Sequence, residues 1–356
     1  MTPLKLLTPV RAVTLAVVLS LFSMSSCQKN LHGIDKEAKS IGIASPIALF
    51  PPLRISWVRL ADLPFHDLTP GDVPLGRFKL QGFNIGSRGF LGGGEAITSF
   101  TLAQQMKDLW MYDSATHSWT QKADCPGPYL GDAVNFVIGK SAYFVVGNQT
   151  WQYNASSNVW AQKANLPSTS RAHAAAFAVN GKGYVGFGYS LVNGAELADF
   201  WEYDPVADSW LQKASFFGAA REGAMTFVIG GDGYVCLGGK VGGGTTTYPL
   251  DLWQYNPVTN AWSAKANFPG AGRMNGVGLT CLGRGFVATG ANNANILKDC
   301  WQYNATTNAW SALPNVGGDA RDYAGGFAMG HSLYIGGGLG SIPDGMKDFW
   351  TLHLIN

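Results

Sequence analysis

Residues 199–210 read DFWEYDPVADSW, and close relatives of that stretch occur four more times in the chain. They are DLWMYDSATHSW at 108–119, TWQYNASSNVW at 150–160, DLWQYNPVTNAW at 251–262 and DCWQYNATTNAW at 299–310. In all five, the two tryptophans stand nine residues apart. Side chains alternate along a strand, so DFWEYD sends Trp201 and Tyr203 to one face and Phe200 to the other. DPVAD and NPVTN place Pro where a type I turn accepts it, and a second strand is predicted to begin at the second tryptophan. Each copy is therefore a hairpin with apolar groups on both faces, which only sheets on either side can cover.

The repeat is longer than the phrase. First tryptophans fall at Trp110, Trp151, Trp201, Trp253, Trp301 and, in DFWTLH, Trp350. Second tryptophans are Trp119, Trp160, Trp210, Trp262 and Trp310. Trp57, in ISWVRLADLP, matches NVWAQKANLP at 158–167 and NAWSAKANFP at 260–269, so the partner of Trp350 lies at the opposite end of the repeat region. Upstream, Arg77, Arg171, Arg221, Arg273 and Arg321 are each followed 13 residues later by Phe or Tyr and 17 later by Gly. The second unit keeps Tyr143 and Gly147 but has Leu130 in the arginine place. Apolar runs such as AAAFAV and GYVGFG, joined by a Gly-containing turn, predict a further hairpin per unit. No helical stripe follows the N-terminal leader. Arginines repeated around an architecture are expected to pair locally, with backbone carbonyls or acids such as Asp199 and Asp251, rather than to form an anion site.

Six four-stranded units of about 50 residues, apolar on every face, predict sheets packed face to face. The glycine-ended second strand (YVCLGG, YIGGG), the D-x-W-x-Y-[DN] strand and the second Trp resemble kelch repeats over residues 55–354. The resemblance implies an all-β, six-bladed kelch-type β-propeller at 54–356. Its ring would be closed by the N-terminal strand joining the last blade, which would otherwise leave an unpaired edge.

Composition narrows the function classes. Only 13% of the 356 residues are charged, about half the usual share, and the net charge is +2 with no Lys/Arg run. Nothing argues for nucleic acid. Lys5 and Arg11 precede an apolar run at 12–24, then Ser25, Ser26 and Cys27. This predicts a signal peptide at 1–27 with a lipobox-like Cys27 as lipidation site, and a tether at 28–53. The run is shorter than the roughly 20 residues needed to span a bilayer. The expectation is an exported monomer in a bacterial cell envelope, at the outer membrane or in the periplasm, touching membrane only through its lipid. Cys125, Cys236, Cys281 and Cys300 stand where other units carry small or apolar residues, which predicts buried free thiols. No histidine sits at metal-ligand spacing, so neither metal nor cofactor is expected.

Function is sought where the units differ. The segment between the second-strand glycine and the first tryptophan varies most, as do the links between units, and variable loops on a rigid frame usually carry binding. The two positions after each register arginine also fail to repeat. They place Lys79, Asp132, His173, Glu222, Asn275, Asp322 and Tyr323 at one mouth of a central channel as a candidate ligand site. Tyr189, Tyr248 and Phe100 are expected as exposed aromatics able to stack on a sugar. The leading reading is a non-catalytic module binding a glycan or protein partner through this loop face. The alternative is an enzyme resembling the kelch-type N-acetylneuraminate mutarotases, with Glu222 and His173 as acid and base. The copper set of galactose oxidase, a propeller of similar fold, cannot be assembled from these residues.

Overall fold

The computed structural model describes residues 55–64, 74–98, 104–242, 245–340 and 345–355. The leader, Cys27, the tether and Phe100 lie outside the described residues. Those described contain strands and turns but no helix, and they hold six four-stranded antiparallel sheets, an architecture consistent with a propeller.

In the third sheet the order is Ala175–Val179, Lys182–Gly186, Phe200–Asp204 and Ser209–Gln212. The repeated phrase supplies the two outer strands, and the last starts one residue before the second tryptophan. Its faces separate as alternation requires. Phe200 packs on Tyr255 and Trp262 of the fourth sheet, with ring centroids 4.8 and 5.0 Å apart. Tyr203 points the other way, 5.3 Å from Tyr143 of the second sheet. One strand thus adheres to both neighbours, with aromatic pairs each adding about 0.5–1.5 kcal/mol beyond their burial.

The second tryptophans also hold the sheets in sequence. Trp160, Trp210, Trp262 and Trp310 donate their indole N–H to the carbonyls of Ala123, Ala164, Ala214 and Ala266, each just past the outer strand of the preceding sheet, at 2.7–3.1 Å. Trp57 does the same to Pro314 at 3.0 Å. Its strand, Trp57–Leu60, pairs with Phe349–His353 in the register Trp57↔Leu352 to Leu60↔Phe349, so the sixth sheet draws on both ends of the repeat region.

The innermost strands are Gln81–Ile85, Val134–Ile138, Ala175–Val179, Met225–Ile229, Val277–Cys281 and Gly325–Met329. Each packs on the next, and the last packs on the first. Residues of all six line three successive cavities of about 150, 190 and 250 Å³ that form a channel. Close approach there requires small side chains: a Cβ on Gly82 would lie 2.1 Å from the Gly326 carbonyl oxygen.

Short ribbons built from the variable loops were not anticipated. Pro74–Phe78, Glu95–Thr98 and Gln104–Gln105 form one, Arg171–Ala172 pairs with Tyr189–Ser190, and Lys240–Gly242 pairs with Thr245–Thr247. Cys125, Cys236, Cys281 and Cys300 are buried and free.

Candidate active site at the channel mouth

Five of the six units fix the mouth with the same buried device. The Arg221 guanidinium donates to both carboxylate oxygens of Asp251, at 2.5 and 2.8 Å, and to the Leu237 carbonyl at 3.0 Å. Trp253 donates its indole N–H to the same carboxylate at 2.7 Å. Arg77–Asp108–Trp110, Arg171–Asp199–Trp201, Arg273–Asp299–Trp301 and Arg321–Asp348–Trp350 repeat it. All five arginines are almost wholly buried. In the second unit, where Leu130 replaces arginine, the acid is gone as well: Gln149 stands in its place and accepts from Trp151 at 3.3 Å. An unpaired carboxylate would be costly to bury, whereas a neutral amide still satisfies the indole.

Each arginine anchors the turn that leads into an innermost strand. Two residues later the backbone is left-handed, at Lys79, His173, Gly223, Asn275 and Tyr323. Their peptide groups bond in series around the channel. Gly223 N–H donates to His173, Asn275 to Gly223, Tyr323 to Asn275 and Lys79 to Tyr323, at 2.9–3.1 Å. Asp132, in the unit that lacks arginine, does not share the left-handed geometry. Its carboxylate instead spans the two ends of the series, 3.1 Å from Lys79 Nζ and 3.5 Å from His173 Nε2.

The result is a compact charged cluster. His173 Nδ1 lies 2.9 Å from Glu222 Oε2, so the ring is held by a carboxylate at each nitrogen. Lys79 also donates to Glu95 Oε1 at 2.9 Å, and Tyr129 donates to Asp132 Oδ2 at 3.2 Å. The rings of Tyr189 and Tyr323 lie 5.5 and 5.6 Å from that of His173. Burial works against charge on His173, but Asp132 and Glu222 outweigh it and raise the imidazolium to about 9. The His173 ring, with Lys79 in support, holds the Asp132 carboxyl far below the usual range against its burial. Burial lifts Asp322 to about 7, despite hydrogen bonds from the Tyr323 N–H and Asn275. Three ionisable groups in one mouth thus have values pushed well apart, the pattern of acid–base sites. Among the described residues, no group of three or more His, Cys, Asp or Glu is placed to hold a metal ion.

Lys79, Asp132, His173, Asn275 and Tyr323 line the first cavity directly. Glu222 meets the cluster through His173, and Asp322 immediately precedes Tyr323. Tyr189 and Tyr248 are half-buried rather than exposed. Tyr189 packs on His173, while Tyr248 donates to Asn293 at 2.6 Å and takes no direct part in the cluster. Comparison of units missed Glu95 and Tyr129, which fall outside the two positions after the arginine. Glu95 was within reach of the same logic: it follows the register glycine Gly94, where the other units carry Asn148, Tyr189, Gly239, Ala291 and Leu339.

The fold has a counterpart among solved structures. The structure titled "Structure of YjhT" superposes with a TM-score of 0.65 at 16% identity, covering 82% of this chain and 95% of that one. At that identity the likeness speaks to fold alone; with the many small antiparallel sheets it is consistent with a kelch-like propeller. No family model matches the chain, and no curated protein matches it.

Proposed function

We propose that the chain is a six-bladed kelch-type propeller, closed by the Trp57 strand, whose channel mouth is an acid–base site that opens and recloses the hemiacetal of a small sugar. The observation that supports catalysis over passive binding is His173, clamped between Glu222 and Asp132 beside a second ionisable group, Asp322, that titrates near neutrality. A site built only to hold a sugar has no need of a charged imidazolium beside a carboxyl poised to exchange a proton.

The step balances without any further reactant. Asp322 takes the proton of the anomeric hydroxyl, the bond between anomeric carbon and ring oxygen breaks, and His173 delivers its Nε2 proton, which faces Asp132 only at 3.5 Å, to that oxygen. Rotation about the exposed carbonyl and reversal of both transfers gives the other anomer. Glu222 and Asp132 keep His173 charged and oriented, and positioned acid–base groups of this kind contribute about 10²–10⁴-fold. Exchange between sugar anomers, followed by NMR magnetisation transfer, is expected to be faster with the protein than in buffer. Glu222→Gln and His173→Ala should each remove at least 90% of the acceleration.

A binding role is the second reading. Its support is apolar exposure on the loops at the same end, with Phe217 and Val192 each 79% exposed. Saturable sugar or protein binding with no faster exchange would favour it. In either case we propose export and lipid attachment at Cys27, so labelling with a radioactive fatty acid should vanish in Cys27→Ala.

A further inference from the structure

The charge of the mouth bears on which sugars it can accept. Asp132 lines the cavity beside two cationic side chains, Lys79 and His173, with Glu95 and Glu222 paired to those cations from behind and Asp322 within electrostatic reach of His173. Even with His173 charged and Asp322 protonated, carboxylates outnumber cations three to two, and loss of a proton from either group enlarges the excess. Lys79, the one lysine or arginine among the described residues that line the cavity, is already engaged by Glu95 at 2.9 Å and Asp132 at 3.1 Å. Two of its three donors are taken, so a hydroxyl can accept the third, whereas an incoming carboxylate would sit against two others. The remaining arginines nearby are buried and matched by their aspartates.

We propose that the mouth is built for neutral or amino sugars and excludes sugar acids. This rests on the acid–base reading and departs from what resemblance to N-acetylneuraminate mutarotases implies, since that sugar carries a carboxylate. A partly desolvated site of one sign favours ligands of the opposite sign and repels its own, with an effect that salt weakens. An ammonium at carbon 2 would find carboxylates on several sides, and the hydroxyls of a neutral sugar match Tyr129, Asn275 and the free donor of Lys79.

The test compares sugars differing mainly in charge: glucose, glucosamine and glucuronate, the matching galactose series, and N-acetylneuraminate. Anomer exchange is measured at low and high salt with the full chain. The expected kcat/KM for the amino and neutral sugars exceeds that for the uronates at least tenfold, and added salt narrows the gap. Glu95→Gln, which releases Lys79, should raise the uronate-to-hexose ratio at least threefold. If uronates or N-acetylneuraminate exchange as fast as the others, the charge inference falls while the acid–base reading stands. If no sugar exchanges faster than in buffer, both fall.

Discussion

Leu130 and Gln149 show most directly what the register arginines do. Five units hold a buried arginine on an aspartate; the second loses both members and keeps only a neutral acceptor for its tryptophan. Removing the aspartate of such a pair leaves a buried guanidinium without compensation, a loss of about 3–5 kcal/mol. Asp251→Gln alone should therefore lower stability by that much, while adding Arg221→Leu should recover most of it, as chemical denaturation would show. The pairs also set an acid limit. Their guanidinium partners outweigh burial and depress Asp199, Asp251, Asp299 and Asp348. Their contribution is complete above the ordinary carboxyl value of about 4 and is lost as pH falls through the lowered values. Tryptophan fluorescence should report unfolding in that acid window. In the proposed reaction, His173 and Asp322 would set the pH profile of activity instead. With Asp322 near 7 required ionised and His173 near 9 required protonated, kcat/KM for anomer exchange should rise through pH 7 and fall above pH 9. The arginine pairs were legible because repetition marks scaffold. Seven mouth residues were legible because they fail to repeat, and Glu95 escaped because its neighbourhood varies in length as well as identity.

At the level of single elements, the turn between the third and fourth strands carries more than its connection. Asn158, Asp208, Asn260 and Asn308 occupy a left-handed position there. The Asn260 Oδ1 accepts from Tyr255 at 2.8 Å and from the backbone of Ala214 in the preceding sheet at 3.0 Å. The first sheet places His117 there, bonded to Tyr112 at 2.9 Å. Asn260→Ala should cost about 2 kcal/mol, losing two hydrogen bonds and straining a non-glycine backbone. Asn260→Asp, the residue that the third sheet uses, should lie within about 0.5 kcal/mol of the parent in thermal melts. Strand order and facing were readable from period-two alternation and the Trp spacing. The ribbons at Arg171–Ala172 and Lys240–Gly242 were not, because two or three residues carry too little periodicity to stand out from a loop.

At the scale of the molecule, the proposed wheel gathers six turns at one mouth, and the replaced second unit alters what is presented there. Asp132 leaves the backbone series and puts a carboxylate between Lys79 and His173, so the irregular unit contributes to the charged cluster. All of this depends on the sixth sheet being completed from the far end of the repeat region. Val58 and Thr351 face each other across that seam. A Val58→Cys/Thr351→Cys variant, oxidised while dilute, measures closure directly, and a disulfide over a long loop can add up to about 5 kcal/mol. The account predicts a monomer with a 58–351 disulfide found by peptide mass spectrometry, and a melting temperature that drops on reduction. Thiols that stay free, or a disulfide found only between two chains, would contradict it.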